Sequence, residues 1–246
     1  MKRLVLFYLH TAAAAASLVS LGAMLVMDRW HATVALVSII FFLVALLAIV
    51  YSALNAHVRA RYPEGYSRLS TFARYSTTDG KHVRYEVFRH IQCRQMLMSG
   101  FRHGYKWTGS RKPRITSDLQ SVRTPVDGGA SDYDHVELVF QRPLLYGDAT
   151  VVHHAMEMDD SDGASAPHVE FRVHEPVQLI VWRVELRHLP RQYRKEARVT
   201  RRRIDARFNA RPEHLAQVRF DALARGYEYH VTRPEPGYFY CLEWDR

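Results

Sequence analysis

Two stretches without a formal charge set the strongest limit on how this chain can fold. Leu4 to Met27 and Ala32 to Val58 run for 24 and 27 residues with no Asp, Glu, Lys or Arg. As helices, each is long enough to cross a hydrocarbon layer of roughly 30 Å. Helices this apolar on every side would otherwise need a far larger core than this chain can build around them. The mean hydropathy of −0.25 hides the point, because the 188 residues that follow are polar enough for an ordinary domain. A wholly soluble protein and a many-spanning transporter are both excluded. With Cys93 and Cys241 as the only cysteines, so are a disulfide-rich scaffold and a four-cysteine zinc site.

The first run begins like a secretory signal, with Lys2-Arg3 ahead of it and small residues from Ala12 to Ala16. It continues through Leu18, Leu21, Met24 and Val26, beyond a signal peptide's apolar region of about 7–15 residues, and so reads as a retained span. Residues 1–58 are expected to form a two-helix transmembrane hairpin, and residues 59–246 a separate domain. Lys2 and Arg3 precede the first span and Arg59, Arg61, Arg68 and Arg74 follow the second, whereas the connector holds Arg29 opposed by Asp28. Basic residues stay inside. The expectation is a multi-pass protein of the bacterial inner membrane with both termini in the cytoplasm, where two free cysteines stay reduced. Ala15, Ser20 and Gly22 belong to a run of small residues in the first span. Small side chains let helix backbones approach closely in lipid, either within one hairpin or between copies in an oligomer.

After Pro63 the pattern becomes short alternating runs bounded by turn residues. Ser67 to Ser76 and Lys81 to Cys93 flank Thr78-Asp79-Gly80, a strong hairpin signal because glycine tolerates the positive φ such turns demand. Further strands are expected at His135–Gln141, Thr150–Met158, His168–His174, Val177–Arg187, Ala197–Ile204, Gln217–Phe220, Tyr227–Thr232 and Tyr238–Trp244. This predicts an all-β domain, a β-sandwich of immunoglobulin type or a β-barrel, with about 8–10 strands. Tyr227 to Arg246 reads as a closing hairpin, and Val177 to Arg187 as a strand near the middle of the core. Short helical turns are expected at Arg191–Arg198 and Pro212–Gln217, and loops at Ser99–Thr108, Arg123–Asp132 and Asp159–Ala166.

No catalytic signature is present: no Gly-rich phosphate loop, no Gly-x-Ser-x-Gly and no His-Glu-x-x-His. The chain reads as a non-enzyme with no cofactor and no metal. His153 and His154 are adjacent in a strand, so their rings point to opposite faces and cannot share a metal directly. Asp159 to Gly163 lacks carboxylates where a calcium loop needs them and reads as a solvated hairpin loop. The stronger signal is charge. From Arg59 onward 31 basic residues face 24 acidic ones, and Arg, whose planar fork suits phosphate, far outnumbers Lys. One cluster gathers Arg102, Lys106, Arg111, Lys112 and Arg114 around Tyr105 and Trp107; another runs from Arg191 through Arg201, Arg202 and Arg203 to Arg207.

These clusters admit three readings. They could lean on anionic lipid. They could line a pocket for a phosphorylated ligand, with Lys106, Trp107, Arg111, Arg114, Tyr133, Arg201, Arg202 and Arg203 as contacts and Tyr105, Trp107 or Tyr133 stacking a base. Long nucleic acid fits less well, because acidic residues interrupt both clusters.

A short two-span hairpin followed directly by a β-rich domain resembles the two-transmembrane, β-strand-rich effectors of bacterial cyclic-nucleotide (CBASS) anti-phage systems. The resemblance lies in layout, not in a residue motif. It implies a β domain that binds a cyclic oligonucleotide and spans that then oligomerise and disrupt the inner membrane. The alternative is a membrane-tethered adaptor that recruits a protein partner, with passive spans.

Overall fold

The computed structural model describes residues 31–105, 111–123, 134–205 and 211–245. The chain divides into two compact units, Met1–Glu64 and Gly65–Arg246. In the first, α1 is a single helix, His31–Arg61, about 46 Å long at the usual rise. Its stretch Val37–Arg61 is long and apolar enough to cross a membrane, and among the described residues none of its apolar window is buried. Among the described residues it is the one such helix. The expected first span, with Ala15, Ser20 and Gly22, lies outside them.

The second unit is all-β. Its strands are β1 (Tyr66–Thr77), β2 (His82–Cys93), β3 (Leu97–Tyr105), β4 (Arg114–Thr116), β5 (Ser121–Arg123), β6 (Asp134–Leu145) and β7 (Ala149–Asp159). They continue with β8 (His168–Val173), β9 (Leu179–Leu186), β10 (Ala197–Arg203), β11 (Glu213–Val218), β12 (Gly226–Thr232) and β13 (Tyr238–Glu243). They form three sheets, ordered β12-β9-β1-β2-β7-β4, β11-β10-β13-β8 and β3-β6-β5. Among the described residues this is neither a closed barrel nor a single pair of facing sheets, and the thirteen strands exceed the expected number.

Period-two alternation explains the layering. Ala73, Val87, Val152, Ile180, Trp182 and Val184 point to one face of the six-stranded sheet and are buried there. That face carries two cores. Toward β9 it packs on the four-stranded sheet through Phe171, Val199, Tyr240, Leu242 and Trp244. Toward β2 and β7 it packs on the three-stranded sheet through Ile91, Phe101, Leu138 and Leu144. The expected hairpin between β1 and β2 is present, with Thr77 opposite Val83, Gly80 at φ 75° and the Asp79 carboxylate accepting the Lys81 and His82 N–H groups.

Five expectations are corrected. Ser99–Thr108 is largely strand β3 rather than loop, held by pairing with β6. Pro212–Gln217 is strand β11, not a helical turn, because it pairs with β10, and Arg191–Glu196 carries no helix before β10 begins. Tyr227–Arg246 is not a closing hairpin: β12 pairs with β9, whereas β13 lies between β10 and β8 in a different sheet. The Asp159–Ala166 segment is no hairpin loop either, since it carries the chain from the six-stranded to the four-stranded sheet. Its Asp160 is buried and accepts the Ser165 N–H.

Candidate functional site

The outer face of the six-stranded sheet bears the alternate residues of the same strands, and among the described residues no second sheet packs on it. Arg74 on β1, Arg84 and Glu86 on β2, Glu157 on β7, and Arg183 and Glu185 on β9 all point outward, and Arg187 follows directly after β9. Antiparallel pairing sets Arg74 opposite Glu86 and Arg84 opposite Glu157; parallel pairing brings Arg74 beside Arg183.

Glu185 is the centre of this lattice and is only 2% exposed. Arg74 donates to both of its oxygens, Nε to Oε1 at 3.0 Å and Nη2 to Oε2 at 2.9 Å. Arg183 Nε lies 2.9 Å from Oε1, and Arg187 Nη2 donates to Oε2 at 2.8 Å. Burial alone would raise the Glu185 carboxyl; the guanidiniums, Arg74 foremost, outweigh it and hold the group below its usual range. Glu86 accepts both Nε and Nη2 of Arg84, at 2.9 and 2.8 Å. Arg84 Nη1 also donates to Glu157 at 3.4 Å, so the four guanidiniums face three carboxylates. Asp159 paired with Arg111, and Glu157 with Arg114 at 4.0 Å, add balanced pairs at the border.

A depression of about 530 Å³ opens here, lined by Arg74, Arg84, Arg187, His82, Glu157 and Asp159 among others. His82 sits at its rim, where its Nδ1 is 2.7 Å from Asp79; that carboxylate raises the tendency of the ring to hold a proton. Three guanidiniums, Arg74, Arg84 and Arg187, and three carboxylates, Glu157, Asp159 and Glu185, thus line a charge-dense cleft on strands, whose planar N–H forks are of the kind that hold anions.

The sequence-predicted contacts divide around it. Arg111 and Arg114 border the depression through their ion pairs with Asp159 and Glu157. Lys106, Trp107 and Tyr133 lie outside the described residues. Tyr105 packs against the core of Val83, Met156 and Met158 instead of forming a stacking platform. Arg201, Arg202 and Arg203 do not converge. Arg201 pairs with Glu213 and Glu235, Arg202 with Glu170 while stacking on Phe239, and Arg203 with Asp205. Alternation sends Arg202 to the opposite side of β10 from its neighbours, so this cluster is a set of separate surface pairs.

His153 and His154 do point to opposite faces. His153 stacks on Phe88 at 4.4 Å between ring centres, while His154 lies inside, 3.9 Å from His103. His103 in turn meets Arg89 Nη1 at 3.0 Å. Arg74, Arg84, Arg183, Glu185 and Arg187 are not among the ligand contacts expected from sequence. Their signal was available in the i, i+2 spacing of Arg183, Glu185 and Arg187 along one strand face.

No family model matches the chain, and no curated protein does. Among solved structures the chain is similar to an M1 zinc metallopeptidase from Deinococcus radiodurans, with TM-score 0.40 and 12% identity, over 73% of this chain and 42% of that one. It is also similar to yeast LTA4 hydrolase, with TM-score 0.39 and 9% identity, over 74% of this chain and 30% of that one. This chain spans less than half the length of those structures. Likeness at this level does not extend to activity.

Proposed function

We propose that this protein is a membrane-anchored sensor and effector of the bacterial inner membrane. Its β unit receives an anionic, phosphate-bearing signal in the arginine-lined depression, with cyclic oligonucleotides as the leading ligand class. Two spans per chain, with both termini cytoplasmic, then assemble between copies and perturb the bilayer, as in anti-phage effectors of similar layout. The observation that carries this reading is the lattice of four guanidiniums around Glu185 and Glu86. Three of its guanidiniums, Arg74, Arg84 and Arg187, line a cleft on the face that no second sheet covers among the described residues, where a ligand phosphate would compete for them with Glu157, Asp159 and Glu185. No bond need be made or broken: a ligand that binds one assembly state more tightly shifts the equilibrium toward it.

The test is thermal shift of the detergent-solubilised full chain against cyclic di- and trinucleotides at two salt concentrations. The expected result is a ligand-specific rise in Tm that persists at the higher salt and is lost in Arg84→Gln and Arg187→Gln. No shift with any nucleotide removes the ligand from the proposal.

A second reading, a protein-recruiting adaptor with passive spans, draws on the half-buried Phe72 and Phe88, 6.1 Å apart on the same face. Gly22→Leu and Ala15→Leu separate the two. Toxicity on expression disappears in an assembling effector, whereas an adaptor keeps its recruitment.

A further inference from the structure

Four large apolar side chains stand out of the β unit at one end. Met96, Leu97, Leu145 and Tyr146 are 63%, 58%, 57% and 59% exposed. They sit on two turns that are tied to each other. The Cys93 N–H donates to the Asp148 carbonyl at 2.8 Å, the Gly147 N–H to the Cys93 carbonyl at 2.9 Å, and Leu97 stands opposite Leu145. A contiguous apolar patch on ordered turns marks a surface that something covers.

The position of the patch says what covers it. The Gly65 carbonyl accepts the Arg94 N–H at 2.9 Å, and Tyr66 pairs with Cys93, so the β unit begins in this same corner. Only residues 62–64 separate Gly65 from Arg61 at the end of α1. Four residue steps reach at most ~14 Å, so the covalent chain holds Gly65 no farther than that from Arg61 at the end of α1. Arg59 and Arg61 in the last turn of α1, Arg94 in the β2–β3 turn and the exposed Arg142 on β6 supply the charge that anionic lipid attracts.

We propose that the Met96–Leu97 and Leu145–Tyr146 turns dip into the headgroup layer of the leaflet from which α1 emerges. The β unit then has a second membrane contact beside its tether, of the kind by which interfacial segments bury apolar side chains under basic ones. The inference rests on α1 spanning the membrane.

The test uses the full chain in liposomes of mixed neutral and anionic phospholipid, with Cys241→Ser as background because Cys93 is fully buried. Single labels of an environment-sensitive dye are placed at Leu97→Cys, Tyr146→Cys, Leu47→Cys in α1, and Leu223→Cys. Leu223 is 89% exposed and lies in the turn before β12, at the other end of the sheet, where Gly226 pairs with Glu185 and Glu185 with Ser76. Labels at 97 and 146 are expected to shift to the blue and to be quenched by headgroup-level nitroxide lipids several-fold more strongly than the label at 223. Equal quenching at 97, 146 and 223, with the label at 47 quenched by acyl-chain nitroxides, overturns the docking and leaves the span standing. An unquenched label at 47 overturns both. A blue shift at 97 and 146 without lipid quenching means that a second copy or another protein covers the patch, and overturns the lipid assignment.

Discussion

At Glu185 three guanidiniums meet one carboxylate, and at His154 no partner meets either ring nitrogen. The two residues set successive steps on the acid side of the same pH profile. Burial keeps His103 and His154 neutral and well below the ordinary 6.5. Because the unfolded chain takes up protons near 6.5 and the folded one does not, stability is complete above that pH and falls as the pH drops through it. The Glu185 carboxyl is held below 4.5, so its contribution is complete above that value and is lost as the pH falls further. Urea unfolding should therefore show a lower midpoint at pH 5.5 than at pH 7.5. His154→Leu should shrink that difference and leave the profile below pH 4.5 unchanged. Equal midpoints at the two pH values in the parent protein would contradict the buried neutral pair.

Among the elements, β12 depends most on one small residue. A β-carbon at Gly226 would sit 1.8 Å from the Val184 carbonyl oxygen, so only glycine lets β12 approach β9 closely enough to pair. Gly226→Ala should destabilise the β unit by about 3 kcal/mol, as overpacking against backbone does, and calorimetry of the variant checks it. The alternation of Val83, Tyr85 and Val87, or of Ile180, Trp182 and Val184, was legible because it needs no knowledge of the partner strand. Partner choice was not. Pro234 to Gly237 looks like a hairpin turn, yet β12 and β13 find better-matched edges on β9 and β10. β3 was hidden because Ser99, Gly100 and Gly104 have loop composition, and only pairing with β6 makes the segment extended. The site followed the same rule. Arg201 to Arg203 are conspicuous in sequence but are neutralised by Glu213, Glu235, Glu170 and Asp205. Arg74 and Arg183 are inconspicuous and become neighbours only through register.

For the whole molecule, the depression and the exposed apolar turns lie at opposite ends of β1, whose twelve residues span about 36 Å at the usual strand rise. The C-terminal strand is integral to the β unit. β13 lies between β10 and β8 and supplies Tyr240, Leu242 and Trp244 to the larger core. Removing residues 238–246 would leave two strand edges bare and that core open. The truncated chain should be degraded or insoluble on expression, while a chain lacking only Arg246 accumulates normally.

The parallel pairing of β1 with β9 also has a history during synthesis. Arg74 and Glu185 are 111 positions apart, so β1 leaves the ribosome directly after α1 and waits for most of the remaining chain before that side is closed. Until then it offers an unpaired edge, the kind of template on which neighbouring chains misassociate. Long-range closure of this sort is slow, so that edge stays open while the rest of the unit is still being made. The speed with which β2 folds back on β1 through the Asp79-Gly80 turn, shielding one edge early, therefore sets how much of β1 is open to neighbouring chains during synthesis.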